Sequence, residues 1–142
     1  ASSFALHWLT NPSLKIKEWF KALAPNGWLA LAVPIQGTFP EWQLAAKKAA
    51  LNWTGLKLPN KQSLLNEISP KSLRLEKTLS FVQRDKNAIS LLKQIVHLGA
   101  HYTPNPSLSV GEWRRLQKGW PRPSGRKSIT LSWQVQLLLI QK

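Results

Sequence analysis

The sequence predicts an α/β fold, and three observations carry that prediction. A helix, a tight turn and an apolar strand follow one another between Asn11 and Val33. Helix-period and strand-period segments then keep alternating to the end of the chain, with no internal repeat and no low-complexity stretch. Finally, 142 residues with 43% hydrophobic content are enough to bury the core of one ordinary domain.

Each element has its own local reason. Asn11 is placed to cap a first helix and Pro12 to occupy its first turn, where a missing N–H costs nothing. Ile16, Trp19, Phe20 and Leu23 recur at helical spacing as one buried face, with Lys15, Lys17 and Lys21 on the other. Pro25-Asn26-Gly27 stops the helix and turns the chain. Trp28 to Val33 is a continuous apolar run of strand length, which predicts a strand covered on both faces.

After a loop at Gln36-Gly37-Thr38, Pro40 starts an Ala-rich helix to about Leu51. A short helix is expected from Lys61 to Ile68 behind Asn60, closed by Pro70. Leu73, Leu75, Leu79 and Phe81 alternate with Arg74, Glu76, Thr78 and Ser80, the period of a half-buried strand, with Lys77 the exception on the apolar face. Asp85 or Asn87 can cap the next helix, where Ala88, Leu91, Leu92, Ile95 and Val96 form one stripe before Gly99. Ser109 and Glu112 have capping-box spacing at the head of a helix carrying Trp113 and Leu116, which Pro121, Pro123 and Gly125 break. Ile129, Leu131, Trp133, Val135, Leu137 and Leu139 then alternate with Thr130, Ser132, Gln134 and Gln136 as the clearest strand.

Composition narrows the chemistry. Twenty Lys and Arg against six Asp and Glu give a formal net charge of +14, which favours an acidic partner: nucleic acid, an anionic membrane or an acidic protein. The chain has no Cys, so disulfides, thiolate metal sites and a Cys nucleophile are excluded. His7, His97 and His101 and the sparse carboxylates are too scattered to suggest a metal site. No apolar run reaches the roughly 20 residues that span a bilayer and no signal peptide is visible, so the expected compartment is the cytoplasm.

A family resemblance sharpens these readings. The segment Ser2 to Trp8 (SSFALHW), the helix after it, the turn Leu23-Ala24-Pro25-Asn26-Gly27 and the strand that follows resemble the second half of a class I S-adenosylmethionine-dependent methyltransferase. In that comparison they match the end of its fourth strand, its next helix, its L-x-P-G-G turn and its fifth strand. Leu91 to Tyr102 (LLKQIVHLGAHY), Glu112 to Pro121 (EWRRLQKGWP) and Gly125-Arg126 leading into a Thr-rich strand are more discriminating. They resemble the malonyl-acyl-carrier-protein O-methyltransferases of biotin synthesis. The likeness covers nearly the whole chain but only the C-terminal half of those enzymes. It departs at Asn26, where a Gly is usual, and at His7, where a Gln is common; Asn tolerates a positive φ.

What the resemblance implies is specific. The fold class becomes the C-terminal half of a class I (Rossmann-like) methyltransferase, a single partial domain over residues 1–142. Its order is 5-7-6, from Trp28–Val33, Ile129–Ile140 and Leu73–Phe81. Strand seven is antiparallel, and ligands belong at the carboxyl ends of the parallel strands. A helical insertion over residues 85–127 between strands six and seven becomes a basic lid. Ser2, Ser3, His7 and Trp8 are implied contacts of the cofactor S-adenosylmethionine. Arg126 and Arg122 are the implied clamp for a malonyl carboxylate, and Arg114, Arg115 and Lys118 belong to the same substrate-binding lid.

A free carboxylate is already a nucleophile, so methylating it needs orientation and no general base; no catalytic residue is expected. The expected partner is an acidic acyl carrier protein, steered by the positive surface. The glycine loop that would hold the cofactor is missing, so the chain is expected to be inactive alone. Its open sheet edge is expected to be covered by an N-terminal half, by self-association or by swapped elements. Two alternatives stay open: a non-catalytic basic module binding RNA, DNA or an acidic protein, and one half of a split methyltransferase. No helix-turn-helix, RRM or KH signature favours nucleic acid.

Overall fold

The computed structural model describes residues 1–97, 107–122 and 128–142. Among the described residues the strands are β1 (Ser2–Ser3), β2 (Trp28–Pro34), β3 (Leu73–Asp85) and β4 (Ile129–Gln141). They form one sheet in the order β1-β2-β4-β3. The helices are α1 (Pro12–Ala22), α2 (Pro40–Lys48), α3 (Lys61–Leu65), α4 (Ala88–His97) and α5 (Val110–Gly119), with a 3₁₀ turn over Leu6–Trp8.

β1 runs parallel to β2, Ser2 opposite Leu31 and Ser3 opposite Ala32. β4 runs antiparallel to β2, from Trp28 opposite Gln141 to Pro34 opposite Val135. Side chains of β3 and β4 pair in descending and ascending order, Arg74 with Gln141, Thr78 with Gln136 and Ser80 with Gln134, so these strands are antiparallel too. The expected 5-7-6 order is therefore present as β2-β4-β3, with β1 in the place of strand four.

The chain divides into two units, and β3 and β4 each contribute residues to both. The first holds residues 1–38, 57–80 and 133–142. Its core joins Leu6 and Ile16 to Leu29, Leu31, Val33 and Ile35 of the β2 segment, Leu64 and Ile68 of the α3 segment, and Leu138 and Ile140 of β4. Trp19, Phe20 and Leu23 pack against it, as the spacing in α1 predicts. The turn after α1 has Asn26 at φ 61°, the left-handed conformation that Asn adopts most readily after Gly. Lys142 donates from its ammonium to the carbonyls of Lys21 and Leu23, placing a cation at the negative end of α1.

The second unit holds residues 39–56 and 81–132. Its buried residues include Ala45 and Ala46 of α2, Leu91, Leu92 and Ile95 of α4, Leu116 of α5, Trp120, and Ile129 and Leu131 of β4. α5 opens with a complete capping box in which Ser109 accepts from the Glu112 N–H and the Glu112 carboxylate accepts from the Ser109 N–H. α4 is capped by Asn87, which accepts from the Ser90 N–H. Gly99 lies outside the described residues.

Several local expectations fail for identifiable reasons. Asn11 precedes α1 in the left-handed conformation and makes no side-chain cap. Only Ser2–Ser3 of the opening segment is strand, because Phe4 at φ 53° turns the chain into the 3₁₀ turn. α2 and α3 end sooner than their sequences suggest, at Lys48 and Leu65. β2 is not covered on both faces along its whole length: Leu29, Leu31 and Val33 are buried, whereas on the other face Trp28 is 51% exposed, Ala30 is exposed, Ala32 is half-buried and Pro34 is buried. β3, at the end of the strand order, is not half-buried either, with Leu75 and Phe81 exposed. In β4 the face that enters the first unit's core carries Leu138 and Ile140, the phase opposite to the alternation read from Ile129 to Leu139. The tail of β4 is apolar on both faces, and alternation cannot choose between them.

Candidate functional site

In the first unit, the carboxyl ends of the parallel strands β1 and β2 gather the predicted cofactor contacts. The Phe4 N–H donates to the Ala32 carbonyl at 2.9 Å, extending the β1–β2 pairing by one bond. The left-handed turn at Phe4 then lets its ring meet Trp133 edge-on, with centroids 5.9 Å apart. Neither aromatic was singled out as a site residue in the sequence. Phe4 sits inside the strand-like segment SSFALHW, and Trp133 is one apolar residue in a run, so composition marks neither.

Leu6 is fully buried and anchors the 3₁₀ turn, which carries His7 inward and leaves Trp8 37% exposed. The His7 and Trp8 rings lie 5.0 Å apart. His7 is 9% exposed, and burial pushes its pKa down to about 4, so the imidazole is neutral at neutral pH. Its Nδ1 and the Ser2 Oγ are buried without a hydrogen-bond partner. Buried polar atoms are satisfied in the great majority of cases, so these two are exceptions to the general pattern. Ser3 is exposed.

At the end of β2, Thr38 is buried and its hydroxyl both donates to the Gln134 carbonyl and accepts from the Gln134 N–H, each at 3.0 Å. One side chain thus substitutes for a strand residue after the β2–β4 register ends at Pro34 opposite Val135. The sequence reading placed this loop and missed the role of Thr38. Among the described residues, no group of three or more His, Cys, Asp or Glu could hold a metal ion. No helix of the described residues is long and apolar enough to cross a membrane.

The second unit holds the predicted substrate contacts. Arg114, Arg115 and Lys118 lie on the exposed side of α5, whose opposite side buries Leu116. Arg122 is exposed after Trp120, a buried residue whose indole N–H donates to the Thr130 carbonyl at 3.0 Å. Arg115 helps hold the Glu112 carboxyl below its usual range, behind the larger effect of the hydrogen bonds from Ser109. Arg126 lies outside the described residues.

No protein-family model matches the chain. The sequence is similar to a malonyl-[acyl-carrier protein] O-methyltransferase of Marinomonas sp. (strain MWYL1), with 24% identity over 155 aligned positions. That alignment covers 99% of this chain and 54% of the relative, so the chain spans about half the relative's length. In structure, the chain is similar to a Bacillus halodurans C-125 protein assigned as a methyltransferase, with TM-score 0.57 and 15% identity. This second likeness covers 99% of the chain and 68% of the solved structure. The strand order, the antiparallel β4 and these two similarities agree: the chain has a partial, Rossmann-like methyltransferase fold.

Proposed function

We propose that this chain is the substrate-facing part of an S-adenosylmethionine-dependent O-methyltransferase that esterifies the free carboxylate of a malonyl-acyl carrier protein. The observation that carries the reading is the similarity to the Marinomonas O-methyltransferase along 99% of the chain. The sheet order agrees with the methyltransferase fold that this reading requires.

When bound, the cofactor supplies a methyl group on a cationic sulfonium. Ser2 and His7 fit such a group, because both have buried, unpartnered polar atoms at the carboxyl end of β1. His7 is also neutral, so it adds no charge repulsion toward a sulfonium. Ser3 and Trp8 flank these two positions, and their exposure leaves them free to line the same ligand. The carboxylate needs no base to attack the methyl carbon, and the role of the protein is to hold it in line and out of water. Arg122 and Arg126 suit the planar, two-point grip that a malonyl carboxylate accepts, with Arg114, Arg115 and Lys118 adding positive field. Residues 85–127 act in this reading as the basic lid, and the chemistry is completed by a glycine-loop half joined beside β1.

Calorimetric titration with S-adenosylmethionine tests the reading. The chain alone is expected to release little heat, whereas the chain joined to the glycine-loop half of the Marinomonas relative is expected to bind and to form methyl ester on malonyl carrier protein. A joined protein that folds but neither binds the cofactor nor forms ester would refute it.

A further inference from the structure

We infer that the last turn of α2 and the outer strip of α5 form one docking face for an acidic, amphipathic helix of a partner protein. The inference rests on the reading above, in which the partner is an acidic carrier protein, and adds where that partner sits.

The two helices are far apart in sequence and meet within the second unit at a glycine. A Cβ added to Gly119 would lie 2.9 Å from the Ala45 carbonyl oxygen and 3.4 Å from the Lys48 Cβ. Only a residue without a side chain permits that approach, and it brings the C-terminal turn of α2 against the C-terminal turn of α5. Arg115 stands one turn before Gly119, and Lys118 shares a helix edge with Arg114 and Arg115 at spacings of four and three. Lys47 and Lys48 join them from α2, and all five cations are exposed. Leu44, 42% exposed, lies one turn before Lys47 and Lys48 and places an apolar patch beside the charge.

Within the second unit, no carboxylate forms an ion pair with this charge among the described residues. The carboxylates of the second unit are Glu41, Asp85 and Glu112. Glu41 accepts from the Ser132 N–H and hydroxyl and from the Thr130 hydroxyl. Asp85 accepts from the Lys86 N–H and the Gln94 amide. Glu112 is bound to Ser109 in the capping box and shares only its field with Arg115. Among the described residues the side-chain ion pairs are Lys15–Glu18, Lys17–Glu67 and Lys61–Glu76, and all lie in the other unit.

The same face is a poor platform for single-stranded nucleic acid, which needs exposed rings for its bases to stack on. Trp120 is buried, Trp113 is half-buried, and Trp42 and Trp53 pack edge-on against each other at 4.7 Å. Cations around an exposed leucine complement a helix with an acidic rim and an apolar stripe, so the face fits a protein.

The test measures binding of the full chain to apo acyl carrier protein at about 0.05 M salt, where surface charge is weakly screened. Reversing both lysines of α2, Lys47→Glu with Lys48→Glu, is expected to weaken binding by roughly tenfold or more and to flatten its salt dependence. Leu44→Ser is expected to weaken binding without changing the salt dependence, and Lys77→Glu on β3 is expected to leave binding within about twofold. Unchanged circular dichroism confirms that each variant folds. If the carrier binds and the α2 reversal has no effect, the inference falls while the methyl-transfer reading stands. Tighter binding to polyuridylic acid, equally weakened by the α2 reversal, overturns the choice of a protein partner. Absence of carrier binding overturns the docking face, and the cofactor titration then decides the methyl-transfer reading separately.

Discussion

His7 shows how one buried side chain couples position to pH. Its pKa is about 4 in the folded chain against 6.5 when solvated, because burial disfavours the cation. The unfolded chain therefore takes up the proton first as pH falls. Stability is full above about pH 6.5 and is lost progressively toward pH 4, by about 3 kcal/mol in all. His7→Gln removes this titration while His97 and His101 remain in both proteins. Urea unfolding at pH 7.5 and pH 4.5 should show a smaller pH-dependent loss in the variant; an equal loss would mean that His7 does not set it.

At the scale of elements, contacts decide what propensity leaves open. Gly119 and Gly111 both lie in α5, yet a Cβ at Gly119 would press on the Ala45 carbonyl while a Cβ at Gly111 would meet nothing within 4 Å. Gly119→Ala is therefore expected to cost about 1–3 kcal/mol through overpacking. Gly111→Ala is expected to be neutral or to stabilise by up to about 1 kcal/mol through helix propensity. Thermal denaturation of the two variants checks the contrast, and a Gly119→Ala protein as stable as the parent would refute the close approach of α2 and α5. β3 illustrates a different balance: Leu75, Phe81 and Val82 are exposed on a strand at the end of the sheet order. Arg74, Glu76, Lys77 and Arg84 place charge along it, which discourages pairing with another chain.

Across the whole molecule, a formal charge of +14 means that cations repel one another more than the ion pairs among the described residues offset. Exposed pairs such as Lys15–Glu18 contribute about 0–1 kcal/mol each. Raising ionic strength from about 0.01 M to about 0.15 M shortens the screening length from about 30 Å to about 8 Å and weakens the repulsion. The unfolding temperature should rise over that range in a scanning fluorimetry series. A fall would show that the ion pairs of the first unit outweigh the net charge.

Much of the chain is legible in the sequence, and local chemistry explains why. The α1 face of Ile16, Trp19, Phe20 and Leu23, the capping box of Ser109 and Glu112, and the positive φ of Asn26 each depend on residues within a few positions. The order β2-β4-β3 followed from the resemblance carried by SSFALHW and the later segments. Which face of β2 is covered, which phase of β4 enters the first core, and why β3 stays exposed depended on distant elements, because apolar runs look alike on either face. The same holds at the candidate site. The sequence nominated Ser2 and His7 by their place in a motif, but only the tertiary structure showed their polar atoms buried and unpartnered. It nominated Arg114, Arg115 and Lys118 as one strip of a helix. Packing at Gly119 brought Ala45 and Lys48 of α2 against that helix, since proximity between remote segments is fixed by the shape of their contact and not by sequence spacing.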